Sequence, residues 1–418
     1  MNAAAKPVNN KSLAASALAT NPLGAKLAKA RLTLSLKGFT LKGDALWLGG
    51  ALTMLLAIGL IAMGSASVEY ASKTYGNPFA LVERYGLHLA LGTLAAAVIY
   101  RVPMATWQRT GWMWLLIGLA LLILVLIPGI GRSVNGARRW IALGPLTLQA
   151  SEFVKLFVIV YLAGYLVRRH DEVRSRWSGF VKPMAVVFLV TLFLMLEPDF
   201  GATVVTAGTA FGLVFLAGVK LGQFLLVILS CVSALGMLVV LEPYRMKRFT
   251  AFANPWEDQF GSGYQLVQSL IAFGRGEWFG VGLGNSVQKQ FYLPEAHTDF
   301  VFAIWAEEFG ALGALLVIAL FAVLVVSILR IGRRAERANN LFSAFVAYGI
   351  ALLISAQVFI NIGVTIGLLP TKGLTLPFLS YGGSSLIVCL MFMAMVLRID
   401  SELRAQNETR PAGGKAHG

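Results

Sequence analysis

Three side chains that can transfer protons or bind cations stand together just before a long apolar segment. Glu295, His297 and Asp299 alternate along the stretch PEAHTDFVF. Carboxylate and imidazole groups at a membrane–water boundary are well placed for proton transfer or cation binding. Thr298 and Asp299 are also suitable helix N-cap residues, so a purely structural role is the alternative.

The composition indicates what kind of protein carries these groups. The 418 residues are 57% hydrophobic and 13% charged, whereas soluble domains are about one quarter charged. Segments of roughly twenty apolar residues recur along the chain, each long enough to cross a bilayer. We therefore predict an all-α polytopic membrane protein with about ten transmembrane helices, near residues 45–67, 84–102, 111–129, 150–167, 182–196, 200–218, 221–241, 300–329, 342–369 and 381–398.

The net charge of +15 is interpreted as a signal of topology, not of nucleic-acid binding. About two thirds of the Lys and Arg residues fall on one side, which places both termini in the cytoplasm and loop 242–299 outside, between spans seven and eight. We predict a disordered basic tail at 1–44, a membrane domain at 45–400 and a cytoplasmic tail at 401–418. No cleavable signal peptide is recognised. Cys231 and Cys389 lie in apolar spans and suggest no redox or metal chemistry.

Basic residues in two predicted outside loops depart from this charge distribution. One group lies in GRSVNGARRW, and the other opens the large loop. Cations on the disfavoured side indicate an anionic ligand, and phosphate suits guanidinium geometry. Anchoring of the loops to lipid phosphates is the alternative. The residues are Arg132, Arg138, Arg139, Arg245, Lys247 and Arg248.

Charged residues also occur at membrane depth, in three places. The sequence Glu197-Pro-Asp-Phe-Gly joins two short spans, Glu152 and Lys155 share one face of the fourth span, and Glu307–Glu308 lie in the eighth. Such residues usually face a cavity or one another. A buried ion pair that includes Lys155 is the structural alternative.

The glycine-rich stretch FGRGEWFGVGLG (273–284) does not predict a nucleotide site. It lacks a preceding strand and the Gly-Lys-Ser/Thr signature. A flexible or re-entrant loop is the better interpretation, and 377–385 is interpreted as an irregular loop that leads into the last span.

Eight motifs, in one order along about residues 45–400, resemble the SEDS family (shape, elongation, division and sporulation), and most closely its cell-division member. The one departure, Ala150 where the family often has proline, is expected to have no functional consequence. The motifs are NGARRWI, QASEFVK, EPDFG, GYQLVQS, PEAHTDFVFA, EE-x-G, NIG and LPFLSYGGSS.

The resemblance implies a peptidoglycan glycosyltransferase that polymerises lipid II at the outer face of the bacterial cytoplasmic (inner) membrane, at the division septum. It implies β-1,4 glycan strands made with inversion, and undecaprenyl pyrophosphate as the leaving group. Implied partners are a class B penicillin-binding protein, other divisome membrane proteins and membrane lipids, with no nucleic acid. No organic cofactor is expected, and a divalent cation, Mg²⁺ or Mn²⁺, is a possible aid.

Asp299 matches the essential aspartate of the family, and we predict that it is the general base. A helix N-terminus is expected to keep it ionised. Candidates for binding the pyrophosphate or the sugars are Arg138, Arg139, Lys155, Glu197, Asp199, Arg245, Arg248, Glu295, His297, Glu308 and Ser384.

Two other functions are consistent with the sequence. A flippase for lipid-linked precursors also has many spans, interrupted helices and charges in the membrane. Against it, the halves show no repeat and the polar groups collect on one side. A scaffold that only recruits a partner enzyme is the third hypothesis, and it would tolerate loss of Asp299.

Overall fold

The computed structural model describes residues 34–36, 39–41, 43–134, 136–144, 146–240, 252, 254–370 and 373–409. Within these ranges the chain is mainly helical, with twelve helices and five short strands. The helices are α1 (Asp44–Tyr75), α2 (Ala80–Arg101), α3 (Met104–Leu126), α4 (Ala150–Arg168), α5 (His170–Ser175), α6 (Trp177–Leu196), α7 (Phe200–Leu216), α8 (Leu221–Val240), α9 (Tyr264–Gly276), α10 (Val301–Arg337), α11 (Leu341–Thr365) and α12 (Gly383–Thr409).

Six of the described helices are long and apolar enough to cross a membrane: α1, α3, α4, α6, α10 and α11. This result confirms the prediction of a mostly helical polytopic membrane protein. The other four predicted segments coincide with α2, α7, α8 and α12. The count of ten spans therefore stays a prediction and is taken up with the proposed function.

Helix α4 forms the centre of the bundle. It packs against α3, α7, α11 and α12, and nearly all of its side chains from Ala150 to Leu166 are buried. Its first turns carry Ser151, Glu152 and Lys155, all of them buried. A central helix with polar residues at one end brings polar groups to that end of the bundle.

A small antiparallel sheet stands between α3 and α4 and is absent from the all-α prediction. It has the order β3–β4–β5, formed by Gly131–Val134, Ala137–Leu143 and Leu146–Gln149. The strands are only four to seven residues long, and such short segments carry little periodic signal beside the long apolar runs on either side. The sheet carries Arg132, Arg138 and Arg139, so it determines where these cations point.

The second half of the large loop packs against the first turns of α10. Glycine at 276 is required there, because a Cβ would lie 2.1 Å from the carbonyl oxygen of Ala306. Helix α10 is interrupted at Gly310, which has φ 68°. The amide of Ala311 donates to Glu277 O (2.8 Å), and the amide of Val281 donates to Glu307 O (3.0 Å). The loop therefore satisfies the backbone groups that the interruption leaves free, as the interpretation of a re-entrant segment requires.

Both predicted tails are described only in part. Strands β1 (Leu34–Leu36) and β2 (Phe39–Leu41) pair within the stretch predicted as a disordered tail, and the rest of that stretch up to residue 33 lies outside the described residues. Helix α12 continues to Thr409, so its end overlaps the predicted C-terminal tail.

Candidate active site

A cavity of about 430 Å³ brings most of the candidate residues together. Four regions of the chain line it: the consecutive strand β4, end of β5 and first turn of α4, then the turn between α6 and α7, the loop before α10 and the loop before α12. Its described polar lining consists of Arg139, Trp140, Thr147, Gln149, Glu152, Asp199, Glu295, Thr298, Asp299, Thr375, Tyr381 and Ser384.

Asp299 contributes a carboxyl group whose pKa is raised to about 7. Burial is the main cause and the neighbouring Glu295 adds to it, while Arg139 acts in the opposite direction. This finding corrects the expectation that a helix N-terminus keeps Asp299 ionised. The N-cap of α10 is Phe300, and no side chain caps it, so the N-cap alternative is wrong as well.

The backbone around Asp299 is held by helix α11. Asn361 donates from Nδ2 to the carbonyl oxygen of Asp299 (2.9 Å) and to that of Leu374 (2.5 Å). A Cβ at Gly373 would lie 3.0 Å from Asp299 Oδ2. The carboxyl group is thus enclosed between the two loops, and any larger residue at 373 would have to displace it slightly.

Arg139 links the sheet to the turn between α6 and α7. Its Nε donates to the carbonyl oxygen of Glu197 (3.3 Å), and its Nη2 donates to that of Pro198. Because a guanidinium group has five N–H donors, Arg139 keeps donors for a ligand in the cavity.

The two acidic residues of this turn differ in their environment. Asp199 caps α7 through the amide of Ala202 (3.2 Å), and its Oδ2 accepts from Ser151 Oγ (2.9 Å) and Gln149 Nε2 (3.3 Å). Glu197 is fully buried, and neither carboxyl oxygen has a hydrogen-bond partner among the described residues. Burial raises the pKa of Glu197 to about 8, with Asp199 adding to the shift. Asp199 therefore joins the segments of the site, whereas Glu197 is neutral near pH 7 and does not line the cavity.

The loop before α10 is held in a tight turn that begins at Glu295. Its carbonyl oxygen accepts from the amides of Thr298 and Phe300, each at 3.2 Å, and its Oε2 accepts from Thr298 Oγ1 (2.6 Å). His297 is not part of the cavity lining; it stacks on Tyr70, with ring centroids 4.8 Å apart, and its ring lies 6.0 Å from that of Tyr381, which does line the cavity. Burial lowers the pKa of His297, so the ring is neutral near pH 7.

Two further candidates support the floor of the cavity. Ser384 Oγ accepts from the amide of Gln149 (2.9 Å) and donates to Thr147 O (3.2 Å). Lys155 is 1% exposed and pairs with Glu152 at 2.8 Å. This is the buried ion pair that the sequence offered as the structural alternative for Lys155.

The remaining candidates do not line this cavity. Arg138 turns to the other face of β4 and donates to Leu126 O at 3.0 Å. Glu308 pairs with Lys289 at 2.8 Å and accepts from Ser65 Oγ at 2.6 Å. Arg245 and Arg248 lie outside the described residues.

Sequence reasoning assigned no role to Asn361, Gln149, Ser151 or Gly373, although they position the site. Asn361, Gln149 and Ser151 lie within the motifs NIG and QASEFVK, which indicated a family and no particular contacts. The hydrogen bonds of Asn361 to Asp299 and Leu374, and of Ser151 and Gln149 to Asp199, join residues 13 to 62 positions apart. Spacing along the chain therefore gave no signal for them.

The donor set does not suit a metal held by the protein alone. Among the described residues, no group of three or more His, Cys, Asp or Glu side chains is arranged to bind a metal ion. Asp199 already uses both of its oxygens within the protein. The described part of the chain therefore does not by itself supply a set of ligands for the predicted Mg²⁺ or Mn²⁺.

The fold and the site define a polytopic membrane protein with a carboxylate-lined cavity at one end of its helix bundle. A family model described as cell cycle protein, covering FtsW, RodA and SpoVE, matches residues 46–405. The chain belongs to this family, which confirms the membership predicted from the eight motifs.

Similar proteins point to the same family. A "Probable peptidoglycan glycosyltransferase FtsW" from Hahella chejuensis is 53% identical over 384 residues, or 92% of this chain and 96% of the relative. A protein with the same description from Pseudomonas fluorescens is 55% identical over 350 residues, or 84% of this chain and 86% of the relative.

Two solved structures share the fold. One chain comes from work described as "Structural coordination of polymerization and crosslinking by a peptidoglycan synthase complex", with a TM-score of 0.70 and 29% identity, covering 85% of this chain and 97% of that one. The crystal structure of Thermus thermophilus rod shape determining protein RodA gives a TM-score of 0.63 at 27% identity, covering 85% and 96%.

Proposed function

We propose that this protein is a peptidoglycan glycosyltransferase that polymerises lipid II into β-1,4 glycan strands. The observation that carries the mechanism is the buried carboxyl group of Asp299, with a pKa of about 7, facing a polar cavity beside Arg139. The enzyme class rests on the printed function of relatives at about half identity over most of the chain.

Asp299 acts as the general base. It removes the proton from the C4 hydroxyl of the acceptor GlcNAc while that oxygen attacks the anomeric carbon of the donor MurNAc. The bond from that carbon to the pyrophosphate oxygen breaks, undecaprenyl pyrophosphate leaves, and the configuration is inverted. A base whose pKa lies near the working pH is effective, because enough of it is unprotonated and it still accepts a proton readily.

Arg139 stabilises the charge that develops on the leaving group. One carboxylate is sufficient for this reaction, because the pyrophosphate leaves as an anion and needs charge stabilisation more than a proton. The contacts of Arg139 with the carbonyl oxygens of Glu197 and Pro198 hold the guanidinium group in place before substrate arrives. Such preorganised charge costs little rearrangement during the reaction.

The cavity opens on the outer face of the membrane in this proposal. Ten spans, formed by α1, α2, α3, α4, α6, α7, α8, α10, α11 and α12, give an even number and place both termini in the cytoplasm. The basic segments 168–177 and 330–337 support this orientation. The site is then on the side where the glycan is assembled.

The protein works with a class B penicillin-binding protein at the division septum in this proposal. Support comes from a solved relative that belongs to a peptidoglycan synthase complex and from relatives described as FtsW. Mg²⁺ or Mn²⁺ is a separate proposal, in which the substrate pyrophosphate supplies most of the oxygen ligands. Addition of a chelator to the polymerisation assay tests it.

The decisive experiment is lipid II polymerisation by the purified protein, co-expressed with its transpeptidase partner. We expect Asp299→Asn to reduce the rate by about 10²–10⁴-fold, the usual contribution of a general base, with folding and partner binding retained. Ser262→Ala, a change in the same loop but outside the cavity, is the matched control.

Three outcomes would overturn part of the proposal. Full activity of the Asp299→Asn variant would remove the base assignment and make Glu295 the next candidate. Transport of lipid II across vesicles without polymer formation would favour the flippase. If the wild-type protein activates its partner but neither polymerises nor transports lipid II, the scaffold hypothesis would be favoured.

A further inference from the structure

A second cavity of about 350 Å³ lies directly beside that of Asp299. The two cavities share Thr147 and Tyr381 in their walls. They are also separated by close packing, since a Cβ on Gly383, which lines the first cavity, would lie 2.3 Å from Nε2 of His88, which lines the second. The polar lining of the second cavity is Tyr75, Arg84, His88, Arg132, Thr147 and Tyr381.

The two cavities differ in charge. Four carboxyl groups and one arginine line the first, whereas the described lining of the second has two arginines and no carboxyl group. Arginine pairs, which bind in a planar and bidentate manner, are typical of sites for phosphate groups. The second cavity therefore suits an anion, whereas the first offers one arginine for an anionic group and several carboxyl groups for the hydroxyl groups of a sugar.

The side chains of both arginines of the second cavity are exposed, that of Arg84 is packed against tyrosines, and the backbone of Arg132 is fixed by its strand. The guanidinium carbon of Arg84 lies 4.5 Å from the centroid of the Tyr75 ring, and Arg84 also interacts with Tyr381. Arg132 pairs across the sheet with Trp140, a residue of the first cavity. The sheet and Tyr381 therefore connect the two cavities.

The chemistry of the coupling requires two pyrophosphates at different distances from the base. In the donor, the pyrophosphate is attached to the carbon that reacts, so it must lie close to Asp299 and Arg139. In the acceptor, the reacting C4 hydroxyl and the pyrophosphate are at opposite ends of a disaccharide. The acceptor pyrophosphate must therefore bind away from Asp299, in a place of its own.

We propose that the second cavity binds the pyrophosphate of the acceptor lipid-linked disaccharide through Arg84 and Arg132. The sugars then pass Thr147 and Tyr381 and bring the C4 hydroxyl to Asp299. This assignment rests on the proposed glycosyltransferase function and adds a binding site for one of its two substrates.

The kinetic test compares Arg84→Ala/Arg132→Ala with wild type in lipid II polymerisation. The matched control is Arg101→Ala, an exposed arginine at the opposite end of α2 that lines neither cavity. We expect the KM for lipid II to rise roughly tenfold or more, because charge-assisted hydrogen bonds to an anion are lost, while kcat changes less than KM. Arg84→Lys, which keeps the charge and loses the planar donor pair, should give an intermediate KM.

The binding test does not depend on turnover. Undecaprenyl pyrophosphate is titrated into the Asp299→Asn protein in detergent micelles, with and without the two arginine substitutions. We expect two molecules of undecaprenyl pyrophosphate to bind per chain when both arginines are present, and one when both are replaced. Equal melting temperatures of all variants show that folding is retained.

Several outcomes would overturn the assignment. One is that Arg84→Ala/Arg132→Ala polymerises lipid II with an unchanged KM and still binds two molecules of undecaprenyl pyrophosphate. Another is displacement of undecaprenyl pyrophosphate from the second site by an equal concentration of phosphatidylglycerol, which would make it a general lipid-headgroup site. If wild type makes no polymer, the proposed function fails, and the binding stoichiometry still decides whether the second cavity holds a lipid pyrophosphate.

Discussion

Burial has more influence on Asp299 than the helix that follows it. The N-terminus of α10 favours a negative charge nearby, but the side chain does not cap the helix. Removal from water and the adjacent Glu295 both favour the protonated form and raise the pKa to about 7. The cavity therefore contains a carboxyl group, that of Asp299, which is partly protonated at neutral pH.

The pH dependence of the rate should report this pKa. Since only ionised Asp299 accepts the proton, activity is expected to rise as pH increases through about 7. Glu295→Gln removes a like charge, lowers the pKa of Asp299 and shifts the midpoint to lower pH. Arg139→Gln removes an opposite charge and shifts it to higher pH. Initial rates over a pH series check this, and a shift of both variants in the same direction would contradict the electrostatic account.

At the scale of elements, helix α11 fixes the position of Asp299 relative to the loop before α12. Asn361 bonds the backbone of both segments. One turn earlier, Gln357 bonds only to that loop, through Thr375 O at 3.3 Å. The two amides therefore differ in one respect, the contact with Asp299.

This pair allows a matched comparison. We expect Asn361→Ala to lower kcat by about 10- to 100-fold, because a small displacement of a catalytic group is costly, and Gln357→Ala to lower it far less. Polymerisation rates of the two variants, compared at equal thermal stability, measure the difference. Equal losses would mean that Asn361 only stabilises the loop.

A buried ion pair joins the large loop to α10. The side chains of Lys289 and Glu308 are 7% and 1% exposed, and Ser65 from α1 completes the cluster. We expect Lys289→Met to destabilise the protein by about 3–5 kcal/mol, because Glu308 is then left buried without its partner.

Two controls make this prediction specific. The double variant Lys289→Met/Glu308→Gln should recover part of the loss, since no unpaired charge remains. In the exposed pair Lys182–Glu172, in which the lysine side chain is 57% exposed, Lys182→Met should change stability far less than Lys289→Met, because solvent screens the two charges. Denaturant unfolding in detergent measures all four proteins, and a double variant no more stable than Lys289→Met would contradict this explanation.

At the scale of the whole molecule, the orientation of the proposed ten spans decides which side of the membrane carries the site. We predict that Ser262→Cys, in the large loop, reacts with a membrane-impermeant maleimide added to intact spheroplasts. Ser175→Cys, in the basic segment between α4 and α6, should react only after the membrane is opened. Both variants carry Cys231→Ser, and the remaining native thiol, Cys389, is buried and gives a low background. The reverse labelling pattern would place the cavity in the cytoplasm and exclude polymerisation on the outer face.

The sequence by itself determined the class and the family of the protein, and it singled out Asp299, which lines the cavity. Long apolar segments predict helices in a membrane because a bilayer leaves few other solutions. Ordered motifs such as PEAHTDFVFA and EPDFG predicted the family, which the comparison confirmed. These features are local in sequence, so they can be recognised without coordinates.

Only the tertiary structure decided which polar residues share a cavity. Arg138 and Arg139 are neighbours in sequence but lie on opposite faces of β4, because successive side chains of a strand alternate; only Arg139 reaches the cavity. Glu308 and Lys155 looked similar as charges in the membrane, and each is satisfied by a buried partner. The raised pKa of Asp299 likewise depends on burial by segments distant in sequence. Contacts of this kind depend on how distant segments pack across the bundle. Spacing along the chain carries no information about that packing.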